Sequence, residues 1–276
     1  MLIVDSQIHI WEDETMNNLH RQVRTYSMDD ALKEMAGAGV DAALLHPPSS
    51  LPKTNATAID AARAHPDKFA ILGHFAVDRP ENRGLLDTWK QQPGMLGLRF
   101  TFNQPTQHGW LADGSLDWLW AGAERNALPI GLLAMGRFGA IGRIAERHPG
   151  LRLLIDHLGR GGQATGASTF ADLPDMLALA RLPNVAIKVS GAPSYSTEAY
   201  PWRDVHDPLR RIFDAFGPDR CFWGTDITRL ACTYRQAVTM FTEEIPWLKG
   251  NDLELVMGRA LCTWVGWALP GRLPNG

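Results

Sequence analysis

Cysteine is scarce and scattered. Cys221, Cys232 and Cys262 are odd in number and show no CxxC spacing, which excludes a disulfide framework and a thiolate zinc site and leaves reduced structural thiols. Positive charge is not in surplus either. Lys and Arg number 27 against 30 Asp and Glu, a net charge of −3, so no basic surface is offered to nucleic acid. Charge runs, low-complexity tracts and internal repeats are missing as well. The longest apolar run, around Leu128 to Met135, is too short to span a bilayer. No basic segment followed by a sustained apolar stretch opens the chain, and a soluble cytoplasmic protein without a membrane partner is expected. Glycine is absent from Asp5 to Trp11, the first turn after a strand, where a doubly wound nucleotide-binding sheet would need it.

What the chain has is a repeated alternation. Strands are expected at 3–8, 40–45, 69–76, 95–101, 129–134, 152–156, 184–189 and 221–225, with helical patterns between them such as 56–64, 116–125, 141–147, 173–180 and 205–216. Ser27 before Asp29 and Asp30 reads as an N-cap, and Gly37 and Gly39 as the stop of that helix. Eight β-then-α units in 276 residues, 45% of them hydrophobic, point to an α/β protein with one large core, a (β/α)8 TIM barrel forming a single domain over 1–276. A doubly wound sheet is the runner-up.

The two ends of such a barrel differ in their connections. Helix-to-strand joins are short, and each carries a proline: Pro66, Pro149, Pro183 and Pro218. Strand-to-helix joins at 12–26, 46–54, 102–114, 158–170, 191–203 and 227–232 are longer and chemically mixed. These fall at the C-terminal ends of the strands, where barrel active sites are built. Gly161-Gly162 suits a hinge or a plain flexible loop.

Three strand ends carry metal or proton chemistry. Gln7 and His9 are spaced i, i+2 on the first strand and leave one face together. The sixth strand closes on His157 and the eighth on Asp226. The first and eighth strands adjoin when a barrel closes, so two imidazoles and a carboxylate form a sufficient set for one zinc or similar divalent ion, with Gln7 as a weak oxygen donor.

The segments Val-Asp-Ser-Gln-Ile-His-Ile-Trp at 4–11, Ile-Asp-His-Leu-Gly at 155–159, Lys-Val-Ser-Gly at 188–191 and Trp-Gly-Thr-Asp at 223–226 resemble the amidohydrolase superfamily, and within it the amidohydrolase-related (amidohydrolase 2) group. That group contains lactonases for pyrone dicarboxylate, sugar lactones and sulfomuconolactone, some of them metal-independent, and metal-dependent aromatic decarboxylases. The resemblance implies that His9 and His157 are metal-binding or substrate-polarising histidines and that Asp226 is the general base. Two departures stand out. Gln7 replaces the first histidine of the His-x-His pair, and Ala134-Met135 stands where metal-binding members place another histidine. Arg99 closes the fourth strand with no lysine to be carboxylated, which argues against a binuclear centre.

The resulting expectation is hydrolysis of a small anionic lactone, with Asp226 activating water and either one divalent ion, zinc first, or His9 and His157 polarising the carbonyl; no organic cofactor is expected. Arg99 is the candidate clamp for a substrate anion, with His46, Tyr195, Arg160 and Arg229 as further substrate-binding residues. Arg160 and Lys188 equally suit pairing with a protein acid, and His74 a structural role. Alternatives are a metal-dependent decarboxylase of an aromatic or unsaturated acid, an amide or imide hydrolase, and a barrel that only binds a metabolite. A homodimer is expected from the exposed helices of such barrels.

Overall fold

The computed structural model describes residues 1–48, 54–102, 104–133, 135–161 and 164–269. At its centre is one eight-stranded sheet in the order β1 to β8. The strands are β1 (Val4–Ile8), β2 (Ala42–Leu45), β3 (Phe69–His74), β4 (Met95–Thr101), β5 (Ile130–Leu133), β6 (Leu153–Ile155), β7 (Val185–Lys188) and β8 (Cys221–Phe222). Sequential neighbours pair in parallel, with helices or helical turns between strands. This is the expected (β/α)8 barrel.

The last seam closes differently. Ser6 N–H donates to Trp223 O at 3.1 Å and Asp226 N–H donates to Gln7 O at 2.7 Å. Asp5 staples the same seam, accepting from Thr225 N at 2.9 Å, Tyr234 Oη at 2.7 Å and Gln7 N at 2.9 Å. Gly224 is required here, because a Cβ would collide with Ser6 Oγ. These bonds fix Asp226 beside the end of β1.

The barrel interior changes character along each strand. With side chains alternating at period two, Ala42 and Leu44 lead to His46, Leu154 to Asp156, and Ala186 to Lys188. The lower layer is apolar, with Val4, Leu72 and Phe222, and packs on the C-terminal segment around Leu261 and Val265. The upper layer is buried and polar: Gln7, His46, Arg99, Asp156 and Lys188. In β1 a register irregularity between Asp5 and Ile8 changes the phase, so that Val4 and Gln7 both reach the interior. The other faces of the strands, such as Leu45, Ile71 and Ile187, join the larger core with the helices.

Helix α1 (Met28–Ala38) begins with a capping box between Ser27 and Asp30 and ends at Gly39, whose φ of 80° is the left-handed cap. Gly37 lies inside the helix rather than at its stop. Trp120 is fully buried, while Trp118 is only partly buried and lies under the Arg83 guanidinium. Of the expected hinge, Gly162 lies outside the described residues, as does Ala134, and Gly161 packs against Met135.

Candidate active site

The C-terminal ends of the strands surround a cavity of about 380 Å³ whose wall includes His9, His20, Arg99, His157, Asp226 and Arg229. A larger groove of about 520 Å³ lies outside the barrel beside Phe138–Arg147 and contains none of these groups.

Asp226 is the centre of the polar set. It is buried with a left-handed backbone, φ 54°, a conformation that Asp tolerates and that gathers at functional sites. Its two oxygens face different partners. Oδ2 accepts from Arg229 Nη1 at 3.0 Å and lies 3.6 Å from His157 Nε2. Oδ1 lies 3.4 Å from His9 Nε2 and, among the described residues, is buried without a hydrogen-bond partner. Burial alone would raise this carboxyl, but His9, Arg229 and His157 outweigh it and hold the pKa below the usual carboxylate range.

The imidazoles are oriented by their second nitrogens. His9 Nδ1 contacts the His46 carbonyl, so Nδ1 is the protonated nitrogen and Nε2 offers a lone pair to the cavity. For His157, Ser190 Oγ accepts the backbone N–H at 3.3 Å and lies 3.0 Å from Nδ1. Its hydroxyl proton is thus directed at Nδ1, leaving Nε2–H toward Asp226. His157 itself is not an extended strand end: it opens a short turn after β6 with φ 53°, and Tyr195 Oη braces its carbonyl at 3.2 Å.

Beneath the cavity lies a buried ion network. Lys188 Nζ is 3.0 Å from Asp156 Oδ1, 3.0 Å from Gln7 Oε1 and 2.9 Å from His46 Nε2. Arg99 Nε donates to Asp156 Oδ2 at 2.9 Å. Burial lowers Lys188 to about 8 even though Asp156 opposes the shift. Asp156 is held below the usual range, because Lys188 and Arg99 outweigh its burial.

This network changes the expected role of Gln7. Its carbonyl oxygen, the only atom that could ligate a cation, is taken by the Lys188 ammonium, and what it turns to His9 is the amide nitrogen, 3.4 Å from Nε2. Three expected substrate contacts are also placed elsewhere. His46 and Tyr195 lie fully buried beneath or behind the wall. Arg160 pairs with Asp172 and lies against the rings of Phe138 and Phe170. Arg99 and Arg229 do reach the cavity.

His20 was not anticipated. It stands in the loop after β1, with Nδ1 2.8 Å from Thr228 Oγ1 and its ring centre 5.1 Å from that of His9. His9, His20 and Asp226 each bring one ligand atom within 4.8 Å of the other two. Burial pushes His20 and His157 down to about 3 and lowers His9, so all three are neutral near pH 7.

The buried neutral histidines set an acid limit on stability. His157 sits at about 3, and burial with the adjacent Lys188 drives His46 well below its ordinary value. Below pH ~6.5 the unfolded chain takes up protons that the folded chain refuses; above it neither binds them. The stability these histidines contribute is therefore full above pH ~6.5 and falls below it, by about 1.4 kcal/mol per pH unit for each histidine. The depressed carboxyls of Asp156 and Asp226 act in the same direction at still lower pH. Urea titrations of metal-free protein at pH 7, 6 and 5 should show this decline, and equal stability at pH 7 and 5 would contradict it.

The amidohydrolase family profile matches residues 4–270. Among curated proteins, a 4-sulfomuconolactone hydrolase of Hydrogenophaga intermedia is 27% identical over 233 residues, covering 80% of this chain and 73% of the relative. An L-fucono-1,5-lactonase of Burkholderia ambifaria is 27% identical over 229 residues, covering 80% and 76%. Among solved structures, an amidohydrolase of Burkholderia multivorans with bound zinc superposes with a TM-score of 0.83 at 20% identity, covering 96% of this chain and 99% of that one.

Proposed function

Since the chain belongs to the amidohydrolase family and is a hydrolase of that type, we propose that it opens a small lactone carrying at least one anionic group, with Asp226 as the general base. The observation that carries this reading is the buried Asp226 carboxylate, flanked by His9 and His157 and facing a cavity walled by two arginines. The lactonases among its curated relatives support the choice of ester.

The water oxygen forms the new bond to the lactone carbonyl carbon while its proton passes to Asp226. The ring C–O bond then breaks with its electron pair on the leaving oxygen, which recovers that proton from Asp226. His157 Nε2–H is the donor available to the developing oxyanion. His9 is not, because its N–H is committed to the His46 carbonyl and its remaining nitrogen presents only a lone pair. That lone pair and the partnerless Asp226 Oδ1, 3.4 Å apart, suit a divalent cation between them, zinc in the first place. Such an ion, when bound by His9 and Asp226, supplies Lewis-acid polarisation of the carbonyl.

Arg99 and Arg229 are read as the groups that meet the substrate anion. Asp156 is shared by Lys188 and Arg99, so that cluster carries one positive charge in excess, and an arriving carboxylate or sulfonate would balance it. Arg99→Gln should raise KM for a carboxylated lactone roughly 10- to 100-fold, the range expected for losing about 1.5–3 kcal/mol of charge-assisted hydrogen bonding. KM for a neutral lactone of the same ring size should stay within about threefold. Equal losses on both would remove Arg99 from substrate recognition, and the melting temperature reports separately the loss of its pair with Asp156.

A further inference from the structure

We propose that His20 is the third protein ligand of a divalent cation held also by His9 and Asp226, so that the loop carrying it is tied across the cavity when metal binds. The inference rests on the metal-assisted form of the reading above and names a ligand that no strand supplies.

The geometry selects these three and rejects the alternatives. One atom from each of His9, His20 and Asp226 lies within 4.8 Å of the other two. Asp226 Oδ1 is buried and has no hydrogen-bond partner among the described residues, a desolvation cost that a cation would relieve. Both imidazoles have their other nitrogen held by an oxygen: His9 Nδ1 by the His46 carbonyl and His20 Nδ1 by Thr228 Oγ1 at 2.8 Å. Such outer partners orient a metal-binding histidine and fix its tautomer. For His20 the ligating tautomer is the one in which Nδ1–H donates to the hydroxyl, leaving Nε2 for the ion.

Gln7 is excluded because its oxygen is engaged by Lys188 and it turns an N–H donor toward His9. His157 stands beside Oδ2, the oxygen that Arg229 already occupies. Three protein ligands with a remaining open position match a catalytic zinc site.

The loop is built to be held at two ends. Its base is a bridge in which Trp11 N–H donates to Tyr26 O at 3.0 Å and Tyr26 N–H returns to Trp11 O at 2.9 Å. Its tip crosses to the strand-8 side, where Arg21 N–H donates to Thr228 O at 2.8 Å. Between them Met16, Asn17 and Leu19 face the cavity. A cation shared by His9, His20 and Asp226 adds a third fastening at the tip, and only His20 couples it to the loop.

The test is zinc affinity, measured on the metal-free full chain by competition with a chromophoric chelator, for wild type, His20→Ala, His20→Asn and His157→Ala. Either His20 variant should bind zinc at least tenfold more weakly, while His157→Ala stays within threefold. In parallel, zinc should slow tryptic cleavage after Arg21 and Arg24 in wild type and leave it unchanged in both His20 variants. Unaltered zinc affinity in the His20 variants, a greater loss in His157→Ala, or no zinc binding by wild type would overturn the assignment. Two substitutions at this half-buried loop position, with melting curves matching wild type, keep a folding defect apart from a ligand defect. Lactone turnover is read separately: turnover without zinc binding would remove the ligand assignment and leave the reaction, whereas zinc binding through His20 without turnover would do the reverse.

Discussion

Asp226→Asn should lower kcat about 10³-fold while the protein remains folded and still binds its ligand. Loss of a positioned general base typically costs 10²- to 10⁴-fold, and Asp226 is the carboxylate that joins both imidazoles and Arg229 at the cavity. The amide is close to isosteric and tolerates the left-handed backbone at this position, φ 54°. Its backbone N–H still donates to Gln7 O, and the side-chain oxygen can still accept from Arg229. What disappears is the proton acceptor, together with the negative charge that a bound cation would meet at Oδ1. The check is kcat on an anionic lactone beside ligand-induced thermal stabilisation of the same variant. Activity within tenfold of wild type would assign the base elsewhere, and lost ligand stabilisation would make Asp226 a binding group instead.

Asp156→Leu should be the most destabilising single change in the buried network. Asp156 pairs with both Lys188 and Arg99, at 3.0 and 2.9 Å, and is fully buried. Removing it leaves two buried cations uncompensated, at a cost of about 3–5 kcal/mol, or roughly 10 °C in melting temperature for a domain of this size. The double variant Asp156→Leu with Lys188→Met should recover much of that loss, since it removes one stranded charge together with its partner. Urea denaturation of the two singles and the double reads the coupling directly. A loss below about 1 kcal/mol for Asp156→Leu would mean that water reaches the network, contrary to the burial of Lys188.

The barrel was legible in the sequence because its signals are local. Short apolar runs, prolines at helix-to-strand joins and the Ser27 cap each act within a few residues, and the observed strands fall inside the expected ranges. His9, His157 and Asp226 were legible for a related reason: each follows an apolar strand, and the end of a barrel strand has a known place. Arg99 and Asp156 are read by the same alternation, Gly97 to Arg99 and Leu154 to Asp156, although only Arg99 was singled out.

Gln7 was misread for a reason that no local pattern carries. Its carbonyl is committed to Lys188, 181 residues away, so the ligand-like spacing to His9 gives the wrong function. His20 had no signal at all. It lies in a polar loop without periodicity, and its meaning comes from Thr228 and His9, which the fold places around it. The boundary error at Gly37 has a simpler cause: two glycines stood near the helix end, and only Gly39 adopts the left-handed cap.

The most direct measurement is a pH-stat and carbon dioxide assay of purified protein on carboxylated and sulfonated lactones, run with zinc and after chelation, wild type beside Asp226→Asn. Ring opening that releases one proton per turnover, with no carbon dioxide and with activity confined to the wild type, is the expected result. Carbon dioxide release, or equal ring opening by Asp226→Asn, would contradict lactone hydrolysis through Asp226.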